Sequence, residues 1–142
     1  MTTILVIDGD SSARAAIQAL LEMEGFEVVG VENDRSGIRA LETSLFEAAI
    51  VDIFTPRIEG LDAIKTLKNI APMVPIVALA PQKFRTCLGQ ETDFLEMAAR
   101  LGAAAGLYKP FMPRDLITVI ATCIDATGRT QRAVRALNDS NT

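Results

Sequence analysis

Short apolar runs alternate five times with helical patterns along this chain, and this alternation restricts its fold more than any other feature. The first run, Ile4 to Ile7, is continuously apolar and rich in β-branched residues, as is typical of a strand buried on both faces. Each run is followed by apolar residues at helical spacing. Repeated strand–helix units predict an α/β fold, a doubly wound five-stranded parallel sheet with helices on both faces.

The other four strands follow from similar apolar runs between turn signals. We expect them at Phe26 to Val31, Ala48 to Val51, Pro75 to Ala80 and Ala103 to Tyr108. The stretch from Pro81 to Leu101 has the weakest pattern, although its second half, from Phe94, is helical in spacing.

Residues that favour helix starts precede the helical patterns. Ser11 or Ser12 is expected to cap the first helix, Asn33 or Asp34 the second, and Pro113 fits the first position of the last. The apolar stripes of the first two helices are expected to include Met23 and Leu45, respectively.

Length and composition limit the kinds of protein to consider. The chain has 142 residues, which suits one domain, and we expect residues 1–126 to form it. Residues 127–142 are polar and are expected to be a helix extension or a flexible tail. There is no histidine, which excludes Ser-His-Asp and Cys-His catalysis and histidine metal sites.

Charge and hydropathy argue against two partner classes. The net charge of −4 argues against a nucleic-acid surface as the main function, because phosphate backbones require clustered lysine and arginine. No apolar run approaches the about 20 residues that span a bilayer, and no basic segment precedes the first apolar run. We therefore expect a cytoplasmic protein that binds neither nucleic acid nor membrane.

Charged residues stand at the ends of three predicted strands. Asp8 and Asp10 follow the first strand, Asp52 the third and Lys109 the fifth. Parallel strands place their carboxyl ends at one edge of the sheet, where ligands bind. Clustered carboxylates repel each other unless a cation such as Mg²⁺ joins them, and a nearby lysine can hold a phosphoryl group. The pattern predicts phosphoryl transfer to a carboxylate.

Four stretches carry a family resemblance: ILVIDGDSSAR, AAIVDIFTPRIEGLDAI, PIVALA and GLYKPF. The chain resembles a response-regulator receiver domain of two-component signalling, and the spacing of Asp52, Pro56 and Gly60 is specific to that resemblance. The resemblance implies a flavodoxin-like strand order of 2-1-3-4-5. It also implies that Asp52 is the phosphoacceptor and that Lys109 contacts the phosphoryl group. Mg²⁺ would be held by Asp8, Asp52 and the backbone carbonyl of Phe54.

The chain departs from the family pattern at three site positions and in one segment. Gly9 replaces the acid expected to bind the metal directly, and Asp10 is considered as a further ligand. Ala80 replaces the Ser or Thr that bonds the phosphoryl group, and Gly106 replaces the aromatic switch residue. Tyr108 directly precedes Lys109, so its side chain is expected on the opposite face of the strand from that of Lys109. The stretch between Ala80 and Gly102 is also longer than usual.

The resemblance implies several partners. A histidine kinase or phosphotransfer protein would supply the phosphoryl group, and a downstream protein would receive the signal. A homodimer through the fourth helix, fifth strand and fifth helix is a further candidate assembly. Without an effector domain in the sequence, the chain is expected to act as a stand-alone receiver or as one piece of a larger chain.

Three functions compete at this stage. The first is a phosphorylatable receiver with an altered switch. The second is a pseudo-receiver that binds partners without phosphorylation, favoured by the changes at Gly9, Ala80 and Gly106. The third rests on a resemblance of the Asp-x-Asp run to haloacid-dehalogenase-like phosphatases, with Asp8 as nucleophile and Asp10 as acid/base. Of these alternatives, we expect a receiver module that is not an enzyme.

Overall fold

The computed structural model describes residues 2–54, 60–81, 84–85 and 91–140. Within these ranges the strands are β1 (Thr3–Ile7), β2 (Glu27–Val31), β3 (Ala48–Asp52), β4 (Ile76–Pro81), β5 (Phe84–Arg85), β6 (Glu91–Thr92) and β7 (Ala105–Lys109). The helices are α1 (Ser11–Met23), α2 (Asp34–Thr43), α3 (Leu61–Ile70), α4 (Phe94–Arg100) and α5 (Pro113–Ser140). The predicted Pro56 of the family pattern lies outside the described residues, as do residues 82–83 and 86–90 of the extended segment.

Five strands form one parallel sheet in the order β2-β1-β3-β4-β7. Because β7 is the fifth strand of this sheet along the chain, the predicted flavodoxin-like order 2-1-3-4-5 is confirmed. The order reverses between β1 and β3, so these two adjacent strands flank the point where ligands of such sheets bind. The short strands β5 and β6 pair separately as an antiparallel ladder, which the sequence did not predict.

Alternate residues of the central strands support two separate cores. On one face, Leu5, Ile7 and Val51 are buried under α2, α3 and α4. On the other face, Val6 and Ile50 are buried under α1 and α5. Since both faces of each central strand are covered, every residue of β3 is buried, as its continuous apolar sequence predicted.

Several local predictions need correction. The N-cap of α1 is Asp10, not Ser11 or Ser12, because the Asp10 carboxylate accepts hydrogen bonds from the backbone N–H groups of Ser12 and Ala13 at 2.9 and 3.2 Å. The N-cap of α2 is Asn33, one of the two predicted residues.

Two residues expected in apolar helix stripes are exposed. Met23, the last residue of α1, is 84% exposed. Leu45 is 93% exposed because α2 ends at Thr43 and the backbone of Ser44 is extended, which removes Leu45 from the helical face. The fifth sheet strand also begins at Ala105 rather than at Ala103.

The last helix starts at Pro113, as predicted, and continues to Ser140. Most of the segment from 127 therefore extends this helix, while the division of the chain at residue 126 stays a prediction. Among the helices of the described ranges, none combines the length and apolar character needed to cross a membrane.

Candidate functional site

Asp8 and Asp52 lie side by side at the carboxyl edge of the sheet. Ile7 and Val51 are register partners in adjacent strands, so the two aspartates that follow them occupy neighbouring positions. Their exposed fractions are 0% and 1%. Lys109 ends β7 at the same edge. The structure thus brings together three of the four charged residues that the sequence predicted at this edge, while the fourth, Asp10, is exposed and caps α1.

Two contacts of the Asp52 carboxylate lie within the described part of the chain. Its Oδ1 accepts a hydrogen bond from the backbone N–H of Phe54 at 3.1 Å. Its Oδ2 forms an ion pair with the Nζ of Lys109, whose side chain is 34% exposed. A buried carboxylate is therefore compensated by one cation that is still open to solvent on one side.

Asp8 is compensated less completely than Asp52. Its Oδ1 accepts a hydrogen bond from the backbone N–H of Asp10 at 2.9 Å, and its backbone carbonyl accepts one from Arg14 Nη1 at 2.8 Å. Its Oδ2 is buried with no hydrogen-bond partner in the described structure. Burial, followed by the charge of Asp52, raises the pKa of Asp8, although the Asp10 N–H and the Lys109 ammonium oppose this shift.

The donors at this edge fit a divalent cation in part. The buried and unpartnered Oδ2 of Asp8, with the adjacent Asp52 carboxylate, is the kind of oxygen set that Mg²⁺ prefers. Gly9 supplies no third carboxylate, and Asp10 uses Oδ1 as the cap of α1. Consistent with this, no group of three or more Asp, Glu, Cys or His side chains forms a metal cluster in the part of the chain that is described.

The two switch positions lie on the α4 side of the sheet. Ala80 is fully buried in the core that contains α4 and presents only a methyl group there. Gly106 leaves space that the side chain of Leu95 fills, because a Cβ at position 106 would lie 2.9 Å from Leu95 Cδ2. Leucine packing therefore takes the place where the family resemblance implied an aromatic side chain.

Sequence reasoning missed a hydrogen bond between Tyr108 and Asp93. The Tyr108 O–H donates to Asp93 Oδ1, and the same carboxylate caps α4 by accepting from the Glu96 N–H at 3.2 Å. Burial, the bond to Asp93 and the charges of Asp93 and Glu96 raise the pKa of Tyr108 to about 12. The available signal was an aspartate directly before the helical pattern that begins at Phe94.

A second missed contact joins the chain that follows Asp52 to α4. The ring of Phe54 meets the ring of Phe94 edge to face, with centroids 4.8 Å apart and an interplanar angle of 62°. Phe94 is the first residue of α4, and Phe54 is the residue whose N–H contacts Asp52. The sequence indicated a role for the Phe54 backbone only.

An apolar groove of about 720 Å³ runs between α1 and the chain around Lys109. Its α1 wall includes Ile17 and Leu20, and its other wall includes Pro110 and Phe111. The groove therefore places an apolar surface directly beside the cation that pairs with Asp52.

Comparisons with known proteins agree with this geometry. The family model described as the response regulator receiver domain matches residues 4–121. The Escherichia coli K12 transcriptional regulatory protein CpxR is 31% identical over 120 residues, which cover 84% of this chain and 48% of CpxR. The chain thus spans about half the length of the curated relatives it matches.

Solved structures show the same fold. A response regulator receiver domain protein from Clostridium thermocellum is 28% identical, with a TM-score of 0.79 over 92% of this chain and 99% of that one. A CheY-like receiver domain protein from Methanospirillum hungatei JF-1 is 24% identical, with a TM-score of 0.79 over 92% of this chain and 98% of that one. Together with the family match, the buried aspartates and the lysine at one sheet edge, these likenesses establish that the chain belongs to the response-regulator receiver family of two-component signalling.

Proposed function

We propose that Asp52 accepts a phosphoryl group from a histidine kinase or phosphotransfer protein and that the domain signals in the cytoplasm by protein–protein contact. The observation that carries this proposal is the Asp52–Lys109 ion pair, which lies beside the buried Asp8 at the carboxyl edge of the sheet. A lysine in this position places a positive charge beside Asp52, where a phosphoryl group would lie.

In the proposed reaction, one Asp52 carboxylate oxygen attacks the phosphorus of the donor's phosphohistidine. The new O–P bond forms as the N–P bond to the donor imidazole breaks, and the imidazole leaves with the bonding electron pair. The Lys109 ammonium then balances the charge of the phosphoryl oxygens in place of the carboxylate. The Phe54 N–H, which contacts Asp52 Oδ1, helps to fix the orientation of the attacking carboxylate.

Asp8, Asp52 and the Phe54 carbonyl are the residues that would hold Mg²⁺ in this proposal. When bound, Mg²⁺ supplies positive charge that reduces the repulsion between the two carboxylates and the incoming phosphoryl group. The unpartnered Oδ2 of Asp8 supports this assignment, because a buried anionic oxygen without a partner is costly. Because Gly9 contributes no carboxylate, we expect weaker metal binding than a complete acidic pair would give.

The groove along α1 is the proposed contact surface for the phosphoryl donor. It adjoins Lys109 and is lined mainly by apolar side chains such as Ile17, Leu20 and Phe111. A donor helix packed there would bring its histidine to the edge of the sheet that carries Asp52. The downstream partner, or a second copy of the chain, would use the opposite side around α4 and β7.

The second candidate function is a phosphorylation-independent binding module. The observation that favours it is the packing of Leu95 over Gly106 beside the methyl group of Ala80, since neither position carries a polar or aromatic switch group. In this alternative, Asp52 and Lys109 serve only as a partly buried structural ion pair.

Intact mass measurement after incubation with acetyl phosphate and Mg²⁺ distinguishes the candidates. We expect the wild type to gain one phosphoryl group, Asp52→Asn to gain none, and Asp8→Asn to gain less. An adduct that disappears only in Asp8→Asn would instead support the phosphatase-like chemistry of Asp8. No adduct with acetyl phosphate or with a panel of phosphorylated phosphotransfer proteins would support the binding module.

A further inference from the structure

The first turn of α4 is connected to the candidate site by two separate routes. On one side, Phe54 donates its backbone N–H to Asp52, and its ring packs edge to face against Phe94. On the other side, Lys109 pairs with Asp52, and its chain neighbour Tyr108 bonds to Asp93, the N-cap of α4.

These contacts form a closed ring of residues. Its members are Asp52, Phe54, Phe94, Asp93, Tyr108 and Lys109. Consecutive members are joined by a side-chain contact, a hydrogen bond or the chain itself. Both routes therefore end at adjacent residues, Asp93 and Phe94, at the start of α4.

We propose that this ring couples α4 to the state of Asp52, with Phe94 as the positioning residue that holds Phe54 against the site. The proposal rests on the proposed function, since it concerns the regulation of the same aspartate. The coupling replaces a route through positions 80 and 106, where Ala80 offers no hydrogen-bond donor and Gly106 lies under Leu95.

The physical basis of the coupling is that a phosphoryl group on Asp52 must alter contacts within this ring of residues. A phosphoryl group on Asp52 competes for the Lys109 ammonium and for the Phe54 N–H, which now contact the carboxylate. Coupling between two sites is reciprocal, so a change in the first turn of α4 must alter ligand affinity at Asp52 by the same factor. An edge-to-face aromatic pair contributes enough for an effect of about two- to tenfold.

The composition of the chain provides a direct optical reporter. Tyr108 is the single tyrosine, and the chain has no tryptophan, so tyrosine emission reports on one ring member alone. The probe is beryllofluoride with Mg²⁺, which imitates a phosphoryl group on a carboxylate. Affinity is measured by calorimetry, and the response of α4 is measured by Tyr108 emission in the same titration.

Three variants separate coupling from general stability. Phe94→Leu removes the aromatic side chain and keeps an apolar one, and Met97→Leu is the matched control at an exposed position of the same helix. Phe94→Tyr keeps the aromatic side chain and is measured by calorimetry alone, because it adds a second tyrosine to the chain. We expect Phe94→Leu to weaken beryllofluoride binding by about two- to tenfold and to reduce the emission change. Phe94→Tyr is expected to keep the wild-type affinity, and Met97→Leu is expected to keep both the wild-type affinity and the emission change.

The outcomes distinguish a failure of the coupling from a failure of the proposed function. Wild-type affinity and a full emission change in Phe94→Leu would overturn the coupling while leaving Asp52 as the acceptor. A failure of the wild type to bind beryllofluoride at saturating Mg²⁺ would contradict the proposed function, and the coupling with it. An equal loss in Phe94→Leu and Met97→Leu would show a general effect of α4 stability and would also overturn the coupling.

Discussion

Leu95 of α4 covers Gly106 of β7 so closely that a Cβ at position 106 would lie 2.9 and 3.2 Å from its two methyl carbons. The same added atom would lie 3.3 Å from the backbone oxygen of Ala78. Glycine at this position therefore permits the close approach of α4 to the sheet. The absence of an aromatic side chain at position 106 is therefore linked to the close packing of α4 on the sheet.

This arrangement predicts that Gly106→Tyr destabilises the fold. The new side chain must displace Leu95, and overpacking of this kind costs about 1–3 kcal/mol in the free energy of unfolding. Urea unfolding measures the effect. Leu95→Ala in the same background should recover part of the loss, whereas additive effects of the two substitutions would contradict the packing relationship.

The missing acid at Gly9 gives a prediction for the metal. Gly9→Asp should increase Mg²⁺ affinity by about tenfold or more, because a charged ligand is added beside Asp8 and Asp52. Gly9 is not among the described glycines with positive φ, so an aspartate suits the backbone there. Calorimetric titration with MgCl₂ provides the measurement, and Gly9→Asn is the uncharged control. Equal affinities for the Asp and Asn variants would show that position 9 does not face the cation.

Asp8 is expected to destabilise the metal-free fold at neutral pH. Burial raises its pKa above the usual 3.8, so the folded state binds the proton more tightly than the unfolded state does. Stability is therefore lost as the pH rises from about 3.8 through the raised value. Asp8→Asn should raise the Tm by about 2–4 °C at pH 7 without Mg²⁺.

Two further measurements make this prediction specific. The difference in Tm between Asp8→Asn and the wild type should vanish below the usual pKa, where Asp8 is protonated in both states. Addition of Mg²⁺ should stabilise the wild type more than the variant. A variant that is less stable than the wild type at pH 7 without Mg²⁺ would show that the Asp8 carboxylate is well compensated after all.

Burial of Tyr108 and its bond to Asp93 predict a high pH for tyrosine ionisation. Absorbance at the tyrosinate band should change with a midpoint near pH 12 in the wild type. Because Tyr108 is the only tyrosine, the titration has a single component. Protonated Tyr108 contributes stability that is fully present below the unfolded value of about 10 and is lost as the pH rises through about 12.

Asp93→Asn tests the cause of this shift. Burial is the largest cause and stays, but the charge next to the hydroxyl is removed, so the midpoint should fall part of the way toward 10. Glu96→Gln is a control for the smaller effect of the Glu96 charge. An unchanged midpoint in Asp93→Asn would mean that burial alone determines the ionisation of Tyr108.

The sheet and the main site residues could be predicted because they depend on strong, repeated signals. Strands buried on both faces leave continuous apolar runs, such as Ile4 to Ile7, that a surface strand would not have. Once the strands are parallel, Asp8, Asp52 and Lys109 must share one edge, whatever the details of the loops. These predictions follow from topology and need no side-chain geometry.

The coupling residues could not be predicted, since each depends on one side-chain contact between distant segments. Phe54 and Phe94 are 40 positions apart, and a single phenylalanine at either position indicates only ordinary core packing. The cap of α1 was misplaced by one residue because Asp and Ser have similar N-cap preferences, so Asp10 and Ser11 could not be separated by residue type.

The most direct test of the account is to identify the residue that carries the phosphoryl group. After phosphorylation with acetyl phosphate and Mg²⁺, borohydride reduction converts an aspartyl phosphate to homoserine, and tandem mass spectrometry of peptides locates it. We expect homoserine at position 52 only, and we expect it to be absent when Lys109→Ala is treated in the same way. Homoserine at position 8, or at neither position after complete coverage of both peptides, would contradict the assignment of Asp52 as the phosphoacceptor.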